Sequence, residues 1–329
     1  MIRCLARRVP CMLLLVSVGT AAAGCSGSKE LTAPDDGPRV PTTVPSFTYT
    51  YQEFQNPTRT NVYEDGQWVA TFTDNSYTVI YRRSFDRTFI QDGDTIVTDI
   101  RVRLYKEPYD GQIGNAERAW LDSARVSTEP DIIRDAVQYL SGAPDLYDGS
   151  LRIAGDAAYG DGIGADFNDF LGISWSYGGT TDAPESSQYG QMDCSGFVRM
   201  LYGYRGTPLT IPLTLTGTSG DAIPRTSYNQ YLHGTGVILI ANTESAVDQS
   251  KLSVLQPGDI LFFDSSSRET PGNINHVGIY MGEDTNGHKR FISSLPSSDG
   301  PAFGRSSGSD FILDGTGFWA GALRAARRF

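Results

Sequence analysis

Directly after Cys194, apolar residues recur at the spacing of a helix: Phe197, Val198, Leu201 and Tyr202. The stretch reads QMDCSGFVRMLYGYRG (residues 191–206), and no other feature bounds the fold as tightly. It sets an apolar helix into a half of the chain whose later runs look like buried strands. Those runs are LQPGDILFFD (255–264), a turn then a strand, and HVGIYMG (276–282). It also puts a cysteine at the N-terminal end of a helix, where unpaired N–H groups and the macrodipole favour negative charge. A thiol held there is expected to have a lowered pKa and to favour the reactive thiolate. The same N–H groups could hold an oxyanion. Asp193 stands at the N-cap position, a purely structural use.

Cys194 is one of 4 cysteines in 329 residues, the others being Cys4, Cys11 and Cys25. Arg3, Arg7 and Arg8 precede an apolar run, CMLLLVSV (11–18), that is too short to span a bilayer as a helix. AAAGC (21–25) follows and resembles a lipobox, with Ala22 where leucine is usual. Residues 1–24 therefore read as a lipoprotein signal peptide, with lipid attached at Cys25, on an exported protein anchored to the membrane in the cell envelope. The alternative is secretory cleavage after Ala23, which releases a soluble protein. In both cases Cys4 and Cys11 leave with the leader. Exported proteins normally pair their cysteines, so a lone Cys194 is a candidate nucleophile. The plainer reading is a buried, inert small hydrophobe.

Residues 25–46 are rich in Pro, Ser and Thr and read as an extended tether. Residues 47–112 read as a small antiparallel β domain. FTYTY, WVATF, YTVIY and IRVRLY are strand-like, and EDGQ, TDNS and QDGD between them look like hairpin turns. In the last run Ile100, Val102 and Leu104 alternate with Arg101 and Arg103, which predicts an apolar and a polar face. This domain shows no catalytic constellation and is expected to serve as a spacer or packing partner. Residues 113–145 form a helical connector. Within it TEPDIIRDAVQYLSG (128–142) predicts a single helix, capped by Thr128, with Pro130 in its first turn and Gly142 at its end. Residues 146–329 form the catalytic domain. The net charge of −11 argues against a nucleic-acid partner, which would need clustered Lys and Arg. The sequence leaves the oligomeric state open.

A thiolate needs an acid/base partner, and the chain holds only 3 histidines. His233 lies near a Gly-rich turn and His288 in a polar one. His276 opens a strand, where a side chain is held more rigidly, and is the expected base. No CxxC or HExxH motif occurs, so neither a metal nor another cofactor is expected.

In these motifs and their order the chain resembles the NlpC-type cysteine peptidases, papain-like enzymes of the bacterial cell envelope. DCSGFV (193–198) is similar to that family's nucleophile motif, and GISWSYGG (172–179) to the segment before it. PRTSYNQ (224–230), LQPGDILFF (255–263), HVGIYMG and the closing LRAARR follow in order. The resemblance implies an α+β fold with the nucleophile helix packed on an antiparallel sheet. It also implies hydrolysis of amide bonds in peptidoglycan stem peptides, commonly after D-γ-glutamyl. On it, Cys194 is the nucleophile, His276 the general base and acid, and Asp193 a ligand of the substrate's free amine beside Ser195. Two positions depart from the pattern. Ser293 stands where a larger polar residue, commonly His, orients the imidazole, with Asp264, Asp299 or a carbonyl as competing orienters. Trp175 stands where Tyr is usual, and its indole N–H could meet an oxyanion or simply pack. An amidase or acyl transferase on the same scaffold, or a catalytically weak wall-binding module, are the competing functions.

Overall fold

The structure is a computed structural model. It describes residues 47–160, 164–206, 209–266, 273–304 and 310–329. The leader, Cys25 and the tether lie outside the described residues. The first sheet is an antiparallel meander in chain order: β1 (Thr50–Phe54), β2 (Arg59–Glu64), β3 (Gln67–Thr73), β4 (Thr78–Gln91) and β5 (Asp94–Leu104). Its two-residue turns fall where Asp-Gly pairs stand. Asp65 and Gly66, and again Asp92 and Gly93, have positive φ, as a hairpin turn matching the strand twist requires. β2 carries no strong β-branched run, and its hairpin partners impose its conformation.

Two cores flank this sheet. One face packs Phe72, Val79, Tyr81 and Tyr105 against Leu121 and Ala124 of helix α1 (Asn115–Val126). The other places Ile80, Val102 and Leu104 in the same core as Phe197, Val198, Leu201 and Tyr202. The alternation of 100–104 thus holds for its apolar side. Its arginine side is not solvated, because Arg101 and Arg103 are both buried. The segment after α1 covers them, and Arg103 donates to the carbonyl of Glu129.

The single helix predicted over 128–142 is not what forms. α2 spans only Ile132–Ala136 and passes into a 3₁₀ turn, Val137–Tyr139. Asp131, not Thr128, is the cap, accepting from the Arg134 N–H at 3.1 Å. Asp131 also accepts the Val102 N–H and pairs with Arg87, and these contacts hold its backbone extended outside the helix.

Short elements lead to the nucleophile. They are the ribbons β6 (Leu146–Asp148) with β7 (Leu151–Ala154) and β8 (Trp175–Tyr177) with β9 (Thr180–Asp182), and helix α3 (Phe167–Leu171). Helix α4 (Cys194–Arg199) continues as a π-helical turn, Met200–Tyr204. After α5 (Ser227–His233) come β10 (Val237–Ile240), β11 (Ile260–Phe263), β12 (His276–Glu283), β13 (Lys289–Leu295) and β14 (Gly300–Ala302). Helix α6 (Phe318–Ala322) and β15 (Leu323–Arg328) close the chain. The second sheet is ordered β10-β15-β11-β12-β13-β14 and is antiparallel throughout. Its inward residues Ile260, Phe262, Val277, Ile279 and Ile292 bury the apolar face of α4. The fold is the α+β arrangement expected, with the helix that begins at Cys194 packed on an antiparallel sheet.

The two sheets are joined chemically as well as by packing. Arg328 of β15 pairs with buried Asp259 at 2.7 Å and donates to Thr73 of β3 at 2.7 Å. The backbone N–H of Thr78 donates to the carbonyl of Phe329.

Candidate active site

Cys194 is the first residue of α4, and the local sequence explains its setting. Asp193 caps the helix, accepting from the Gly196 N–H at 2.7 Å and from the Ser195 hydroxyl at 2.9 Å. Gly196 is demanded by proximity: a Cβ there would lie 2.6 Å from the carbonyl oxygen of Ala165. That close approach seats α4 against the segment that leads into α3. β13 reaches the same turn, with the Ser294 hydroxyl donating to the carbonyl of Met192 at 2.6 Å.

The thiol is buried, and Cys194 is the free cysteine among the described residues. Its state at rest differs from the expected thiolate. Burial first, then the charge of Asp193, push the thiol up to about 12. The N–H groups of Ser195 and Val277 point at the sulfur and oppose this, but desolvation wins. Val277 is the residue next to His276, so the thiol rests against the start of β12.

His276 is buried beside Phe263 and Trp319, with ring centroids 5.9 Å and 5.3 Å away. This apolar enclosure pulls the imidazole down to about 3 and keeps it neutral. Its Nε2 lies 2.8 Å from Ser293 Oγ, and that hydroxyl lies 2.6 Å from the carbonyl oxygen of Val277. Two oxygens approach so closely only with a proton between them. Ser293 therefore donates to Val277 and offers lone pairs to the ring. Nε2 must carry the imidazole proton, which leaves Nδ1 as the free basic nitrogen. The competing orienters are occupied elsewhere: Asp264 faces Arg324, and Asp299 accepts the Tyr159 N–H. The other two histidines lie apart from this constellation, His288 exposed on Asp314 and His233 at the end of α5.

Asp193 has a second occupation. Arg225, from the PRTSYNQ segment, donates to both its oxygens, at 3.2 and 2.7 Å, and to Ser195 Oγ at 2.7 Å. Arg225 also faces Asp166, which pairs with fully buried Arg199 at 3.0 Å. Two carboxylates meet two guanidiniums, so the cluster under the Cys194 turn is neutral. Gln230 of the same segment donates to the carbonyls of Ser195 and Pro224. The sequence placed this segment in order without showing its use, which is to brace the turn that carries Cys194.

Trp175 packs edge-on against Phe167 and Tyr204, at 5.1 and 5.9 Å between centroids. A different aromatic residue lies at the thiol. Ala158 bridges to Gln191, and the Met192 N–H donates to the Ala158 carbonyl, which brings Tyr159 to the mouth of the nucleophile turn. Burial, then the charges of Cys194 and Asp193, hold its phenol well above the ordinary range, so it is a proton donor at neutral pH. Tyr159 and Trp319 were not legible as site residues, since each reaches the site only through tertiary pairing. Among the described residues no cluster of three or more His, Cys, Asp or Glu side chains could hold a metal.

The α+β fold thus brings a buried cysteine at a helix start to the foot of a strand that opens on a neutral histidine of fixed tautomer. Residues 172–299 match the model of the NlpC/P60 family, and this span contains Cys194, His276 and Ser293. Over that span the chain is similar to the NlpC/P60 family, whose members are generally cysteine-type hydrolytic peptidases. No curated protein matches the chain.

Proposed function

We propose that the protein is a cysteine endopeptidase that cuts amide bonds in peptidoglycan stem peptides, after D-γ-glutamyl, by a Cys–His mechanism. The observation that carries this reading is the hydrogen-bond pair at Ser293, which leaves Nδ1 of His276 as the free basic nitrogen, one residue from Val277, whose N–H meets the thiol. At rest the pair is neutral. Substrate entry displaces water and supplies the acceptor, and His276 then takes the Cys194 proton as sulfur attacks the carbonyl carbon. The backbone N–H at the start of α4 and the Tyr159 hydroxyl are the donors for the developing oxyanion. His276 returns its proton to the leaving amine, and water cleaves the thioester by the reverse sequence. Asp193 acts with Arg225 and Ser195, so any substrate amine it reads is read beside a guanidinium.

Digestion of purified muropeptides with the full chain, followed by mass analysis of the fragments, tests this. Two new fragments divided at the D-γ-glutamyl bond are expected, and Cys194→Ala should yield none while keeping its fold. Turnover by the alanine variant would remove the nucleophile assignment. Release of intact stem peptide would identify an amidase instead. We propose too that the protein is exported and acylated at Cys25. Cys25→Ala should then move it from the membrane fraction, and a wild-type protein found wholly soluble would refute this.

A further inference from the structure

The arginine side of β5 has an unexplained excess of charge. A cavity of about 270 Å³ between β4, β5 and the start of α2 is lined by Arg83, Phe85, Arg87, Arg101 and Arg134, together with the acids Asp131 and Glu129. Asp131 is already spent, since both its oxygens face Arg87 and one accepts the Val102 N–H. Glu129, the other nearby acid, is exposed, and its backbone carbonyl takes Arg103. Arg83, Arg101, Arg103 and Arg134 make no ion pair with a carboxylate among the described residues. Arg83 and Arg101 donate only to backbone carbonyls, of Ser127, Thr98, Ile100 and Phe85. The Nε atoms of Arg83, Arg87 and Arg103 are buried without a hydrogen-bond partner. Arg101 and Arg103 are more than nine-tenths buried. The Phe85 ring, half exposed, lies beneath both Arg83 and Arg101, at 4.5 and 5.2 Å.

Capping carbonyls requires donors but not surplus charge, and neutral side chains would do it without repulsion. Clustered guanidiniums in a partly dry site are costly unless an anion answers them. Burial, followed by the charge of Arg87, holds Arg101 below its ordinary range, the direction expected of an unmatched cluster. The excess exceeds one charge, more than a single carboxylate would balance. A phosphomonoester brings up to two charges and three acceptor oxygens, and the planar fork of arginine fits it. The cavity admits one such group and not a whole polymer. We propose that this pocket binds a phosphoryl group carried on an envelope polymer or a lipid headgroup, and so positions the enzyme on its substrate. The proposal takes only the compartment from the function proposed above.

Isothermal titration of the full chain with inorganic pyrophosphate at constant ionic strength should give saturable binding. Arg134→Glu reverses a charge at the exposed rim, where only the backbone N–H of that residue is structural. It should weaken binding on the order of tenfold or more at an unchanged melting midpoint. Absence of saturable wild-type binding, or equal binding by the variant, would overturn the proposal. Pelleting with phosphatidate–phosphatidylcholine vesicles, whose headgroup is a phosphomonoester, lost in Arg134→Glu, would assign a headgroup. Displacement of pyrophosphate by soluble glycerol phosphate oligomers ending in a phosphomonoester would assign a polymer, and failure of both would refute an envelope ligand. Muropeptide turnover, measured on the same samples, should be equal in Arg134→Glu and wild type, which separates this site from the catalytic one.

Discussion

The state of Cys194 and His276 is decided by competition between a helix terminus and desolvation. The first turn of α4 favours a thiolate by about 1 kcal/mol, whereas full burial of a charge costs several. Burial wins, and the resting pair is neutral. In the free enzyme, alkylation of Cys194 by iodoacetamide should therefore rise with pH, tenfold per unit and without a plateau, up to the pH 10 limit of stable protein. The thiolate fraction must follow a pKa raised to about 12. A plateau from pH 5 upward would instead reveal a preformed thiolate–imidazolium pair. Ser293 is tested separately. Its hydroxyl fixes the Nε2–H tautomer with one neutral hydrogen bond, so Ser293→Ala should lower kcat on the order of tenfold, about 1.4 kcal/mol. Steady-state kinetics on a stem tetrapeptide checks this, and an unchanged kcat would show that another group holds the ring.

At the scale of elements, the site depends on how closely α4 can approach the segment before α3. Gly196 is the contact point, and what a side chain would strike there is backbone, which cannot move aside. Gly196→Ala should destabilise the protein by about 1–3 kcal/mol, as overpacking does. It should also depress kcat, because the displaced helix carries Cys194 away from β12. Denaturant unfolding and turnover measured together decide it, and a variant with wild-type stability would mean that the approach is looser than the structure has it. The helix signature of α4 was legible because Phe197, Val198, Leu201 and Tyr202 repeat its period. The strand starting at His276 was legible from its β-branched and aromatic content. α1 and the shortness of α2 were not. Asp131 sits inside a plausible helical run, and only its partners Arg87 and Val102, from another element, make it a cap.

For the whole molecule, the first sheet shares one hydrophobic core with the helix that begins at Cys194. Val102 and Leu104 lie in one cluster with the nucleophile helix, and Arg328 reaches across to Thr73. Residues 146–329 expressed alone should consequently lack a cooperative thermal transition and bind a hydrophobic dye, because a large apolar face and buried Asp259–Arg328 lose their cover. A sharp transition with full activity would show the sheet to be dispensable. The sequence by itself determined the hairpin turns at Asp-Gly pairs and the α+β class, and it singled out Cys194 and His276 as the candidate pair. Each of these depends on local periodicity, turn chemistry or a motif a few residues long. Tertiary structure alone decided that the thiol is buried and neutral, that Tyr159 and Trp319 line the site and that Arg225 neutralises Asp193. It alone covered the arginine side of β5. Burial and charge depend on which distant segments come to lie over a residue, and no local pattern states that.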